Sequence, residues 1–178
     1  MIPGFYYFDT ETVDLFGEIV SAQFKLYGNP KNPLYILTQC KKSKDYPGVI
    51  IESNLKETEI LDKIMKNFFN PNSHRLDFKF IGDRLDYDGL CITQRSSKIT
   101  EKDFMNKVKI DMRTIYMLHN DFQLKSAPGK NGENSMIGTW FKEGKHELIL
   151  DYIVKETDSF FKNLELARTK IKEITFPF

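Results

Sequence analysis

Phe5-Tyr6-Tyr7-Phe8-Asp9-Thr10-Glu11-Thr12, near the start of the chain, decides how the rest reads. Four aromatic residues with high strand propensity run directly into two carboxylates one residue apart. In an extended chain positions i and i+2 project to the same face, so Asp9 and Glu11 point the same way. Two carboxylates held that close repel each other and raise one proton affinity unless a cation lies between them. Hard-metal binding is the natural use of such a pair. The ordinary alternative is a strand end whose acids face water, and an Asp-x-Glu triplet taken alone favours it. The other ligands have to come from elsewhere in the chain.

At 178 residues the chain is long enough for a single domain, residues 1–178, with a full hydrophobic core. Its 26 Lys and Arg nearly balance 25 Asp and Glu, leaving a formal net charge of +1. A near-neutral protein has no overall attraction for nucleic acid, so any such binding requires a local basic strip. Cys40 and Cys91 lie far apart, without metal-ligand spacing or a companion His pattern, and read as reduced residues in or near the core. No basic segment followed by an apolar run opens the chain, and no stretch approaches the length of a membrane span. These features predict a soluble, intracellular, cytoplasmic protein with no membrane contact. No internal repeat or low-complexity tract interrupts it.

After the first strand, Val20, Ala22, Phe24 and Leu26 alternate between Glu18 and Tyr27, which predicts a half-buried second strand. Gly28-Asn29-Pro30-Lys31-Asn32-Pro33 turns the chain, and residues 34–38 predict a third strand, giving an antiparallel meander at the start. A lysine-rich loop, Lys41-Lys42-Ser43-Lys44, precedes the short apolar run Val49-Ile50-Ile51. Asn54 as N-cap with Glu57 three residues on predicts a helix, whose apolar positions are Leu61, Ile64, Met65, Phe68 and Phe69. Asn70-Pro71-Asn72 ends it. Residues 78–90 predict a short strand, a turn at Gly82-Asp83 and a helix running to about Arg95. Asp83, Asp86 and Asp88 all fall near that helix start, where the ordinary role of an acid is capping. Ile110-Asp111-Met112 predicts another short strand, followed by a helical segment with Tyr116, Met117 and Leu118. Residues 125–135 form the clearest loop.

The last element is a long helix from about His146 to Glu173, with Leu148, Ile149, Tyr152, Ile153, Phe160 and Leu164 on one apolar stripe. Glu156 falls in the middle of that stripe, whereas Asp151 and Asp158 fall on the polar side. A carboxylate at the centre of a core-facing stripe needs a partner, and a bound metal is an effective one. A buried cation such as Arg84 or Arg113 is the alternative. Tyr152 lies one turn before Glu156 on the same face, so its hydroxyl reaches whatever Glu156 holds.

With Asp9-Thr10-Glu11, Ile81-Gly82-Asp83-Arg84-Leu85-Asp86-Tyr87-Asp88 and Tyr152 four residues before Glu156, the chain resembles the DnaQ-like 3′-to-5′ exonucleases of the ribonuclease H-like superfamily. The likeness is closest to the proofreading domains of family B DNA polymerases and to stand-alone relatives with the tyrosine form of the third motif. Gly82 with Tyr87-Asp88 fits the second motif, although Asp83 or Arg84 stands where the family usually has Asn. The third motif expects Tyr, three residues, then Asp, and here the last residue is Glu156. His146 and Asp151 have the spacing of the competing histidine subclass. Asp151 points away from the stripe carrying Tyr152 and Glu156, which favours the tyrosine form.

The resemblance implies an α/β, ribonuclease H-like fold: a mixed central sheet with an antiparallel start, flanked by helices. It implies hydrolysis of phosphodiester bonds at single-stranded DNA or RNA 3′ ends, with DNA preferred, acting alone or with a polymerase or other replication or repair protein. Asp9, Glu11, Asp88 and Glu156 would coordinate two divalent ions, Mg²⁺ or Mn²⁺, and Tyr152 would orient the attacking water. Thr10, Phe16, Lys125 and Lys130 are the expected substrate contacts. The extra methylene of Glu156 predicts a looser second metal site that favours Mn²⁺. A nuclease-fold module that binds single strands or a protein without cutting, and an endonuclease of the same superfamily, are the competing expectations.

Overall fold

A computed structural model of the chain describes residues 4–29, 31–70, 77–113 and 133–171. The aromatic opening segment forms β1 (Gly4–Thr12), joined by β2 (Ile19–Leu26), β3 (Leu34–Thr38), β4 (Val49–Glu52), β5 (Phe78–Gly82) and β6 (Lys109–Asp111). They build one six-stranded sheet in the order β4-β3-β2-β1-β5-β6. The pairs β1–β2 and β2–β3 are antiparallel, and β3–β4, β1–β5 and β5–β6 are parallel. This is the mixed sheet with an antiparallel start that the sequence predicts.

Helices cover both faces. One face carries α1 (Glu57–Phe68), α2 (Leu85–Arg95) and α3 (Glu101–Met105). Tyr6, Phe8, Phe24, Phe78 and Phe80 pack there against the ring of Phe68, with centroids 5.1 to 5.9 Å away and every pair edge to face. Each such aromatic side chain contributes about 1.5–3 kcal/mol by burial. The other face carries a short 3₁₀ turn (Glu133–Met136), α4 (Ile137–Lys142) and the long α5 (His146–Ile171). There, Ile149 and Ile153 close over Val20, Leu34 and Ile36, and Phe160 and Leu164 close over Tyr7 and Ile81.

Two covered faces explain the first departure from the sequence reading. All of Ile19–Phe24 is buried, including Ser21 and Gln23, so β2 is a central strand and not a half-buried one. Ala22 and Phe24 share the α1 face as the alternation predicts, but a register shift beside Glu11 and Thr12 carries Val20 to the α5 face, and the polar members face a layered interior and not water.

Other departures are local. α1 begins after Lys56, whose backbone N–H is taken by the Glu59 carboxylate at 2.7 Å, so Asn54 is not the N-cap. Asn54 instead adopts a left-handed turn conformation with φ 60°. Glu57 turns away from capping and accepts the Ile19 N–H at 2.9 Å. α3, begun by a Thr100–Asp103 capping box, was not predicted, and neither was α4. Leu148 is exposed and leaves the α5 stripe, while Leu150 is buried in the cluster that also holds Ile137. Part of the predicted loop is regular: residues 133–135 belong to the 3₁₀ turn. The helical segment expected at residues 116–118 lies outside the described residues. Cys40 and Cys91 are buried and unpaired with each other, as the sequence suggests. Among the described residues no helix is long and apolar enough to cross a membrane.

Candidate functional site

β1 presents Tyr7, Asp9 and Glu11 in a row toward α5, and the apolar stripe of α5 brings Glu156 down onto them. One carboxylate oxygen from each of Asp9, Glu11 and Glu156 lies within 4.8 Å of the others. The three open on a cavity of about 340 Å³ that also meets Thr10, Asp88, Tyr152, Arg84 and Tyr87.

Asp88 arrives from the opposite helical layer, across the end of β1. Its Oδ1 accepts the Thr10 hydroxyl at 2.6 Å and the Thr10 N–H at 2.9 Å. The same N–H reaches Asp9 Oδ1 at 3.0 Å. What aims α2 at this point is its unusual start. Arg84 at the N-cap has φ 62°, and the carboxylate of Asp111 on β6 accepts the N–H groups of Arg84 and Leu85 at 3.3 and 3.2 Å. Asp111, on a neighbouring strand, is therefore a capping acid for α2. Asp86 is exposed and pairs with Lys109 at 3.6 Å, while Asp83 joins the cavity wall. Gly82 is needed where β5 passes β1, since a Cβ there would fall 2.7 Å from the Phe8 carbonyl oxygen.

Buried donors hold the acid pair from the sheet side. Asp9 Oδ2 accepts the Tyr7 hydroxyl at 3.1 Å and the Gln23 amide nitrogen at 3.1 Å, and that nitrogen also donates to Glu11 Oε1 at 3.2 Å. Burial, then the charges of Asp9 and Glu156, push the Tyr7 phenol well above its ordinary range. Burial also lifts Tyr152 far above it, reinforced by the charges of Glu11 and Glu156 and by its hydrogen bond to Glu156. Neither phenol ionises near neutral pH, so both act as donors.

The histidine alternative is placed elsewhere. Asp151 accepts the Tyr46 hydroxyl and the Lys44 ammonium, both at 2.9 Å, and His146 Nδ1 accepts the Lys41 N–H at 2.8 Å. Both residues line a separate surface depression with Glu147. Arg84 and Arg113 are exposed, so neither is a buried counter-charge for Glu156. Phe16 packs against Tyr87 with centroids 5.6 Å apart and planes tilted by 37°, and the Arg84 guanidinium lies 5.9 Å from the same ring. Lys125 and Lys130 lie outside the described residues. Gln23, Tyr7, Arg84 and Tyr87 were not singled out from sequence as site residues. Tyr7 was within reach, two residues before Asp9, but Gln23 becomes a neighbour only through the cross-strand register Asp9↔Gln23. Among known proteins the chain matches no family model, no curated protein and no solved structure.

Proposed function

We propose that the chain is a metal-dependent 3′-to-5′ exonuclease of the ribonuclease H-like type, hydrolysing phosphodiester bonds at single-stranded 3′ ends, DNA foremost. The observation that carries this reading is the convergence of Asp9, Glu11 and Glu156 on one open cavity. A sheet that starts antiparallel and continues parallel through β5 and β6 is compatible with that fold. The donor set consists of carboxylate oxygens, which suits Mg²⁺ or Mn²⁺ and not a soft metal.

Asp9, Glu11 and Glu156 would hold an ion directly, and Asp88 would take part in a second site from the neighbouring wall. When bound, such a pair supplies an activated water and stabilises the leaving 3′ oxygen. The protein's own groups do the rest. Tyr152 stays protonated, fixes Glu156 through its hydrogen bond and orients the water as a donor, not as a base. Arg84 offers a planar, permanently charged fork at the cavity wall, suited to a backbone phosphate. Phe16 on Tyr87 gives an aromatic lip on which a terminal base can stack.

Digestion of 5′-labelled single-stranded DNA and RNA with Mg²⁺ or Mn²⁺ tests this, comparing wild type, Asp9→Ala and Glu156→Ala. A ladder shortening from the 3′ end and lost in both variants is expected. Survival of activity in Glu156→Ala removes Glu156 from the site. Cleavage of closed circles points to an endonuclease, and binding without cleavage to a module that only holds single strands.

A further inference from the structure

Gln23 lies on β2 directly opposite Asp9 and has no solvent exposure. Its single amide NH₂ group bridges Asp9 Oδ2 and Glu11 Oε1. Its carbonyl oxygen is buried and finds no hydrogen-bond partner among the described residues. Buried amides rarely leave a carbonyl orphaned, so something dictates this orientation. The flipped amide would aim its carbonyl dipole at two carboxylates, so the acid pair itself selects the orientation seen. Gln23 is also absent from the cavity lining. Its bonds therefore reach the acids from the sheet side, and an incoming cation would reach them from the cavity side.

We propose that Gln23 is a positioning residue for the acid pair: its amide damps the repulsion between Asp9 and Glu11 and fixes their carboxylates to receive a divalent cation. The proposal rests on the reading of the cavity as a metal site. Tyr7 completes the support by donating to the same oxygen of Asp9 as Gln23 does. The chemistry of an amide suits the task. It supplies two N–H bonds without the net charge by which a Lys or Arg would compete with the metal. A Leu or Met at this position would leave the two acids to repel each other and to rotate.

The test is Mn²⁺ affinity of the whole chain, measured by titration for wild type and Gln23→Met, with thermal unfolding of both recorded without metal. Outer donors to metal ligands typically change metal affinity by about 10- to 100-fold, so Gln23→Met should bind Mn²⁺ at least about tenfold more weakly. A folded Gln23→Met with a lowered Tm but unchanged Mn²⁺ affinity has lost only packing, and overturns the proposal. Should the variant not fold, the wild-type protein still decides. The side-chain amide resonances of Gln23 should exchange slowly with water and shift saturably as Mg²⁺ is added. Stationary resonances while Mg²⁺ binds elsewhere on the chain also overturn it. If wild type takes up neither ion while the Gln23 amide is protected, the metal reading has failed and the proposal falls with it. An unprotected amide in a metal-binding protein shows instead that the bridge itself is wrong.

Discussion

Replacing Thr10 by Val deletes one hydroxyl from the joint between β1 and α2, and the structure sets the size of the effect. Thr10 and Asp88 are 6 % and 2 % exposed, and the hydroxyl lies 2.6 Å from Asp88 Oδ1. A hydrogen bond to a charged acceptor contributes about 1.5–3 kcal/mol, and the upper end applies where water cannot replace the lost donor. Val has nearly the shape of Thr and is at least as good a strand former, so β1 itself is not weakened. The Thr10 N–H at 2.9 Å remains on the same oxygen and prevents a full orphan. For a domain of this size about 1 kcal/mol moves Tm by roughly 2–4 °C, so Thr10→Val should lower Tm by about 3–12 °C. Thr10→Ser keeps the donor and should lose clearly less. Thermal unfolding of the three proteins at neutral pH measures the difference. Equal midpoints for Thr10→Val and wild type would refute the claim that this bond ties α2 to the acid strand.

The Glu57–Arg95 fork gives a pH prediction. Burial raises the Glu57 carboxyl, but the Arg95 bonds at 2.8 and 2.6 Å and the Ile19 N–H outweigh it and hold the group below its usual range. A depressed carboxylate stabilises the fold above its unfolded pKa of about 4.3, and that stability is lost as pH falls through the folded value. Arg95→Met should therefore cost about 1 kcal/mol near pH 7, and the gap should shrink as pH falls below about 4.3 and close once it passes the depressed folded value; unfolding at a series of pH values shows whether it does. Gly138→Ala places a Cβ on the Val13 carbonyl oxygen, so α4 must move off the end of β1. A loss of about 1–3 kcal/mol by thermal unfolding is expected, and an unchanged Tm contradicts the close approach. The longer Glu156 side chain predicts that Mn²⁺ supports cleavage better than Mg²⁺, and a titration favouring Mg²⁺ sinks that idea.

Much of the molecule was legible because its signals are local. The aromatic run of β1 and the alternation of β2 foretold the strands, and the apolar spacing of α5 placed Glu156 on the inward face beside Tyr152. Asp9 and Glu11 share a face because of the period of an extended chain, whatever surrounds it. What remained hidden depends on residues distant in sequence. Capping was the ordinary alternative role for Asp83, Asp86 and Asp88 at the start of α2, yet a cap there comes from Asp111 on another strand. Leu148 matched the α5 stripe within tolerance, yet it is exposed while Leu150 is buried with Ile137 of α4 in one cluster. α3 is a single turn or so, too short for periodicity to register.

Sequence by itself determined the strand that carries the acid pair, the helix that returns a third acid to it, and the separation of Glu156 from Asp151 by helical angle. Each follows from backbone geometry over a few residues. Tertiary structure alone decided which groups complete the site: the register that sets Gln23 beneath Asp9 and Glu11, the crossing of α2 that brings Asp88 to Thr10, and the salt-bridged surface that holds Asp151 away. Hydrogen bonds and charge act over a few ångströms in space, and the residues they join here stand between 12 and 107 positions apart in the chain.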